Sequence, residues 1–187
     1  MIDQRKLKNW AEKIHGIACK HGWHDEYKPD GQWMALIMSE LGEAIEADRS
    51  RSRALTEEQW KIQDFTADAQ IADDRSFIFF YDDCVKGSVE EELADVVIRL
   101  LDFAYMKWKD GIDYSYERTY RRNEQNFAEH AWYLCKEVLN TGYMNVANAI
   151  GYVIDWADDM GVNLERHVDW KIRYNDLRPY RHGGKRY

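Results

Sequence analysis

With 187 residues, 45% of them apolar and 14% aromatic, the chain is sized for a single folded domain and is too apolar to remain disordered. Its net charge of −8 argues against a broad cationic face for duplex nucleic acid, though not against small phosphorylated ligands held by a few local cations or a metal. Three widely spaced cysteines, Cys19, Cys84 and Cys135, form no CxxC pair and read as reduced thiols; with no signal peptide and no long apolar run, a cytoplasmic, non-membrane protein is expected.

Only two prolines, Pro29 and Pro179, interrupt the chain, which favours helices. Helical periodicity predicts a first helix from about Asp3 to Lys20, stopped at His21-Gly22. A polar loop, 21–31, leads into a helix from about Gln32 to Asp48 that ends in the charged run 49–53. Residues 50–87 read as an insertion, in which Ser76–Tyr81 has strand character but neighbours that favour helix. Gly87 followed by Ser88-Val89-Glu90-Glu91 is a capping-box pattern and opens a helix to about Asp110. Further helices are expected at about 114–140, 144–160 and 164–176, with Asp113 and Asn163 as N-caps, followed by a basic tail, 178–187. A weak echo between Ala94–Ala104 and Ala147–Ala157 suits either two ordinary buried helices or a pseudo-duplicated pair of hairpins.

The informative signal is where the acids fall. At 100° per residue, Glu40 lies inside the apolar stripe of its helix, among Trp33, Leu36, Ala44 and Ala47. Glu43 borders that stripe, whereas Glu46 points away. The helix after Ser88 is apolar around most of its circumference and confines Glu92, Asp95, Arg99 and Asp102 to a narrow strip. Such a helix belongs at the centre of a bundle, with its acids turned into a cleft. Two carboxylates about 5 Å apart repel by ~3 kcal/mol at an effective dielectric of about 20. A hard divalent cation, Mg²⁺ or Mn²⁺, relieves that repulsion without needing Cys or His. The plainer readings are a solvated acidic face, or Arg99 neutralising Glu92 or Asp95 in a salt bridge.

Glu40-Leu41-Gly42-Glu43 and Glu92-Leu93-Ala94-Asp95 resemble the ExxE and ExxD signatures of MazG-like, all-α nucleoside triphosphate pyrophosphohydrolases, relatives of the dimeric dUTPases. Gly22–Glu26, Ala35–Glu40, Ser88–Ala104, Lys171–Asn175 and Arg178–Gly183 are also similar to segments of that family, while 50–87 matches nothing in it. The resemblance implies a helical bundle that binds Mg²⁺ through Glu40, Glu43, Glu92 and Asp95. It further implies cleavage between the α and β phosphates of (d)NTPs, and assembly as a homodimer or higher oligomer. Glu43, with Glu40, is the candidate to orient or deprotonate the attacking water. Lys171 and Asn175, spaced i, i+4, together with Arg178, Arg181 and Lys185, are candidates to face the phosphates. Trp33, or Trp23 before it, is a candidate to stack on a base, although a tryptophan at a helical apolar position is ordinarily core. His21 and His24, in a polar segment, read as solvated. Two alternatives remain: a di-iron bundle, for which only Glu12–His15 supplies the needed Glu-x-x-His, and a non-catalytic nucleotide-binding or scaffold module.

Overall fold

The computed structural model describes residues 2–56, 58–59, 73–109, 113 and 126–184. These residues form an all-α bundle with no strand among them. In chain order the helices are α1 (Gln4–Lys20), α2 (Asp30–Arg49), α3 (Asp74–Cys84), α4 (Val89–Trp108), α5 (Phe127–Val138), α6 (Tyr143–Asp159), α7 (Leu164–Leu177) and the single turn α8 (Arg181–Gly184).

Local chemistry sets most boundaries. The Asp3 carboxylate caps α1 by accepting the Lys6 N–H at 2.7 Å. Past its last residue the chain turns through Gly22, whose φ of +77° suits glycine. A Cβ there would also collide with the Tyr180 ring, so the turn is closed from outside by the C-terminal segment. Asn163 caps α7 as expected, accepting from Arg166 N at 3.1 Å. The expected start of a helix at Tyr114, which Asp113 would cap, lies outside the described residues. The described helix α5 opens instead at Phe127, where Asn126 and Glu129 form a reciprocal capping box.

α4 is the central rod, packed against α1, α2, α6 and α7. Every residue from Val89 to Ala104 is buried except Asp95 and Arg99, so its apolar side chains meet neighbours on all sides. Full burial of a Leu, Val or Phe contributes about 1.5–3 kcal/mol. Leu93, Val97, Leu100 and Phe103 are all sealed from solvent and join one core with Ile37, Leu41, Val153 and Trp156. The echoing segments lie on α4 and α6, two buried helices in direct contact.

The described part of the 50–87 insertion is helical where strand character competed: Ser76–Tyr81 falls within α3. One face of α3 carries Phe77, Phe80, Tyr81 and Cys84 into a second, smaller core against Trp170 and Tyr174 of α7. Tyr81 stacks on Tyr174 at 4.3 Å, and Phe80 meets Trp170 edge-on at 5.3 Å. That amphipathic pattern, with Asp73 capping the first turn, decides for helix over strand.

A candidate metal and phosphate site

Glu40 and Glu43 come from α2, one turn apart, and face Glu92 of α4 across the α2–α4 interface. One carboxylate oxygen from each of the three lies within 4.8 Å of the others. Glu92 is 7% exposed, and Glu43 is the solvent-exposed member. Burial, then the charges of Asp95 and Glu91, push the Glu92 carboxyl up to about 8 from its ordinary 4.5. Among the described residues, no Lys, Arg or His forms an ion pair with Glu92 or Glu43. Glu40 is partly answered: its Oε1 accepts from Arg99 Nε at 3.0 Å. Arg99 therefore pairs across to α2, and not with Glu92 or Asp95 on its own helix. Glu46, as expected, points to solvent and pairs with Arg49.

Asp95 lines the same cavity but is engaged by a cation from the protein itself. Lys171 Nζ lies 2.6 Å from Asp95 Oδ2 and 2.6 Å from Glu91 Oε1, and the lysine is 7% exposed. Burial alone would lower the lysine's pKa, but Asp95 and Glu91 raise it, so the ammonium stays charged. For Asp95, burial raises the pKa and Lys171 opposes that rise. The sequence expectation of four equivalent carboxylates thus resolves into three that converge and a fourth paired with Lys171.

Glu91 went unassigned in the sequence beyond its capping role. Its backbone N–H donates to Ser88 Oγ at 3.2 Å, half of the expected box. The carboxylate accepts from Gly87 N and not from Ser88 N, which donates to Val85 O at 3.2 Å, and it also accepts from Tyr81 Oη at 3.1 Å and from Lys171. Reaching back one residue further lets one side chain cap the helix and anchor the lysine. The spacing of the box carried that signal only in part, since Tyr81 comes from the unmatched insertion.

Around these groups lies a cavity of about 380 Å³. Its charged wall holds Glu40, Glu43, Glu92 and Asp95, and Lys171, Asn175 and Arg178 complete it from α7 and the residue beyond. The Asn175 Oδ1 atom is buried with no hydrogen-bond partner among the described residues. Ile14, Ile17, Ala18 and Trp23 form the less polar side.

Other expected residues lie elsewhere. Trp33 is 3% exposed, sits in the main core and stacks on His24 at 5.3 Å; it does not line the cavity, whereas Trp23 does. Arg181 turns away to Glu26 Oε1 at 3.0 Å, and its backbone N–H donates to His21 O at 3.0 Å. The expected basic tail is therefore laid over the 21–26 loop as far as it is described, and Lys185 lies outside the described residues. The expectation that His21 and His24 are solvated is corrected: His21 is 6% exposed, and His24 Nε2 is 2.9 Å from Asp102 Oδ1. Their loop folds back onto α4, where Asp102 also binds His15 Nδ1 at 2.9 Å. Burial would raise the Asp102 pKa, but the hydrogen bonds from His15 and His24 hold it below the usual carboxylate value. A histidine in a loop of polar composition can still be drawn inward when a buried carboxylate satisfies its ring, as Asp102 does for His24.

Three carboxylates, one of them buried with no ion-paired cation among the described residues, can hold a hard divalent cation, and Arg178 on the same cavity can face an anionic ligand. A scan against protein-family models finds no match, and searches of curated proteins and of solved structures also find none. No helix among the described residues is long and apolar enough to cross a membrane.

Proposed function

We propose that this chain is a Mg²⁺-dependent nucleoside triphosphate pyrophosphohydrolase, releasing pyrophosphate and a (d)NMP, with Mn²⁺ able to replace Mg²⁺. On this reading it clears the cytoplasmic nucleotide pool and works as a homodimer or higher homo-oligomer. The observation that carries the reading is Glu92, a buried acid that faces Glu40 and Glu43 and forms no ion pair among the described residues. The resemblance of the ExxE and ExxD segments, which carry these same acids, supports it too.

Glu40, Glu43 and Glu92 are the residues that would hold Mg²⁺, with Asp95 beside them. Bound there, the ion would neutralise the acids and draw charge from the phosphate oxygens. Glu43 is the most accessible of the three and is assigned to orient and deprotonate the water that attacks the α-phosphorus. Lys171 opposes the rise that burial imposes on the Asp95 pKa. Arg178 and the Asn175 amide face the same cavity and would meet the departing pyrophosphate. Trp23, on the less polar wall, takes the base-stacking role considered for Trp33.

Pyrophosphate release measured across the common NTPs and dNTPs with Mg²⁺ tests this directly. Turnover of at least one triphosphate is expected, abolished by Glu40→Gln and by Asp95→Asn. Absence of turnover across the whole panel, with Mg²⁺ and with Mn²⁺, would sink the enzyme reading. A rival is favoured by the Arg99–Glu40 pair, which already neutralises one acid: a nucleotide-binding module without turnover. That rival predicts thermal stabilisation by triphosphates with no pyrophosphate released.

A further inference from the structure

A second cluster, chemically unlike the acid triad, sits where α1 meets the loop before α2. His15 and Cys19 lie one turn apart on α1, and His24 reaches them from the loop. One donor atom from each of the three residues lies within 4.8 Å of the other two, and the His15 and His24 ring centroids are 4.4 Å apart. Cys19 Sγ is 3.6 Å from His15 Nε2. Nitrogen and sulfur ligands on a tetrahedral zinc ion, at about 2.0–2.1 and 2.3 Å from the metal, are separated by about 3.6 Å.

Asp102 supplies the outer support such a site needs. Its carboxylate accepts from His15 Nδ1 at 2.9 Å and from His24 Nε2 at 2.9 and 3.0 Å. An ionised carboxylate only accepts, so each of those ring nitrogens donates to it, and the other nitrogen of each ring is the one a metal would take. A carboxylate bound behind a ligating imidazole is the usual arrangement in histidine metal sites.

We propose that His15, Cys19 and His24 form a binding site for a borderline-soft divalent metal, Zn²⁺ by class, with Asp102 orienting both imidazoles. Two imidazoles and a thiolate select such an ion over Mg²⁺, which prefers the all-oxygen triad. The fourth position is left for water. The ion would clip the 21–29 loop to α1 beside the cavity and displace the Cys19 proton on binding. This inference does not depend on the enzymatic reading.

The test is titration of chelator-stripped, full-length protein with Co²⁺ in the presence of saturating Mg²⁺. One equivalent of Co²⁺ should give tetrahedral d–d absorption and a thiolate-to-cobalt charge-transfer band, both displaced by Zn²⁺. Cys19→Ser should remove the charge-transfer band, and Asp102→Asn should weaken binding about 10–100-fold. Glu40→Gln, in the acid triad, should leave the spectrum unchanged. Cys19 is exposed, so its replacement leaves the core intact, and an unaltered far-ultraviolet spectrum would verify the fold. Absence of the charge-transfer band in the wild-type protein, or its persistence in Cys19→Ser, overturns the site.

Discussion

Two groups of acids share one cavity and are treated in opposite ways. On one side, Glu91 and Asp95 close around Lys171, a cation supplied by α7, and Tyr81 from α3 completes the shell. On the other, Glu43 and Glu92 converge with Glu40 and receive no lysine among the described residues. Both sides draw on the same helix, α4, within a single turn. A charge answered by the protein contributes to holding the fold, whereas the other acids must be met by a proton, as burial favours at Glu92, by solvent, as at exposed Glu43, or by a ligand cation. The two sides therefore differ in what answers each acid, although Asp95 on the first side also lines the cavity.

The comparison breaks most visibly by removing the built-in cation. Lys171→Met leaves the buried Glu91 and the partly buried Asp95 facing each other, and loss of one partner from a buried pair costs about 3–5 kcal/mol. Urea unfolding should report a loss of that size. A loss below about 1 kcal/mol would mean that the lysine is not what holds these acids. Glu43→Gln is the counterpart on the other side. Turnover should fall about 100-fold, as for loss of a general base, with the unfolding midpoint unchanged or raised. A variant that loses stability and activity together would erase the distinction.

A smaller effect sharpens it. The Glu92 carboxyl has a folded pKa of about 8 against an ordinary 4.5, so the folded state holds its proton more tightly. Its contribution to stability is fully present below 4.5 and is lost as pH rises through 8. Metal-free protein should therefore melt several degrees lower at the alkaline end of that window, about 2–4 °C for each kcal/mol lost. Mg²⁺ competes with the proton, so the stabilisation it gives should grow with pH. Glu92→Gln should flatten most of the slope but not all, because burial also raises the Asp95 pKa. Melting curves that do not respond to pH in the metal-free wild type would contradict an unanswered Glu92.

Much of this arrangement was legible in the sequence, and the remainder was hidden for identifiable reasons. Helical periodicity placed the acids of α2 and α4 on faces that should be sheltered, because a 3.6-residue repeat fixes which side chains share a side. It could not reveal that Lys171, 80 residues from Glu91, would claim Asp95 and split the expected quartet. A pairing across such a distance is a product of tertiary packing, invisible to any local window. The 21–29 loop misled for a related reason. Its polar composition reads as solvent-facing, yet His15 and Asp102, on two separate helices, give His24 a buried partner. Trp33 was ambiguous because a large amphipathic ring suits a core and a ligand pocket equally, and only its neighbours Phe103 and His24 decide for the core. The insertion concealed the most, since Tyr81 reaches Glu91 from a segment whose pattern resembled nothing useful.

The mildest prediction concerns how the start of α4 is held. Ser88 is 2% exposed and caps the helix through Glu91 N, so Ser88→Ala should cost about 1 kcal/mol, the usual loss for an N-cap. Glu91→Gln should cost more, although it also lies in the first turn. Gly87 N, Tyr81 Oη and Lys171 Nζ all donate to that carboxylate, and an amide cannot accept from all three with the same charge. If the two variants proved equally destabilising in urea, Glu91 would be acting only as a capping residue. The lysine would then be held by Asp95 alone, and the protein-supplied answer to the buried acids would be half as strong as the geometry implies.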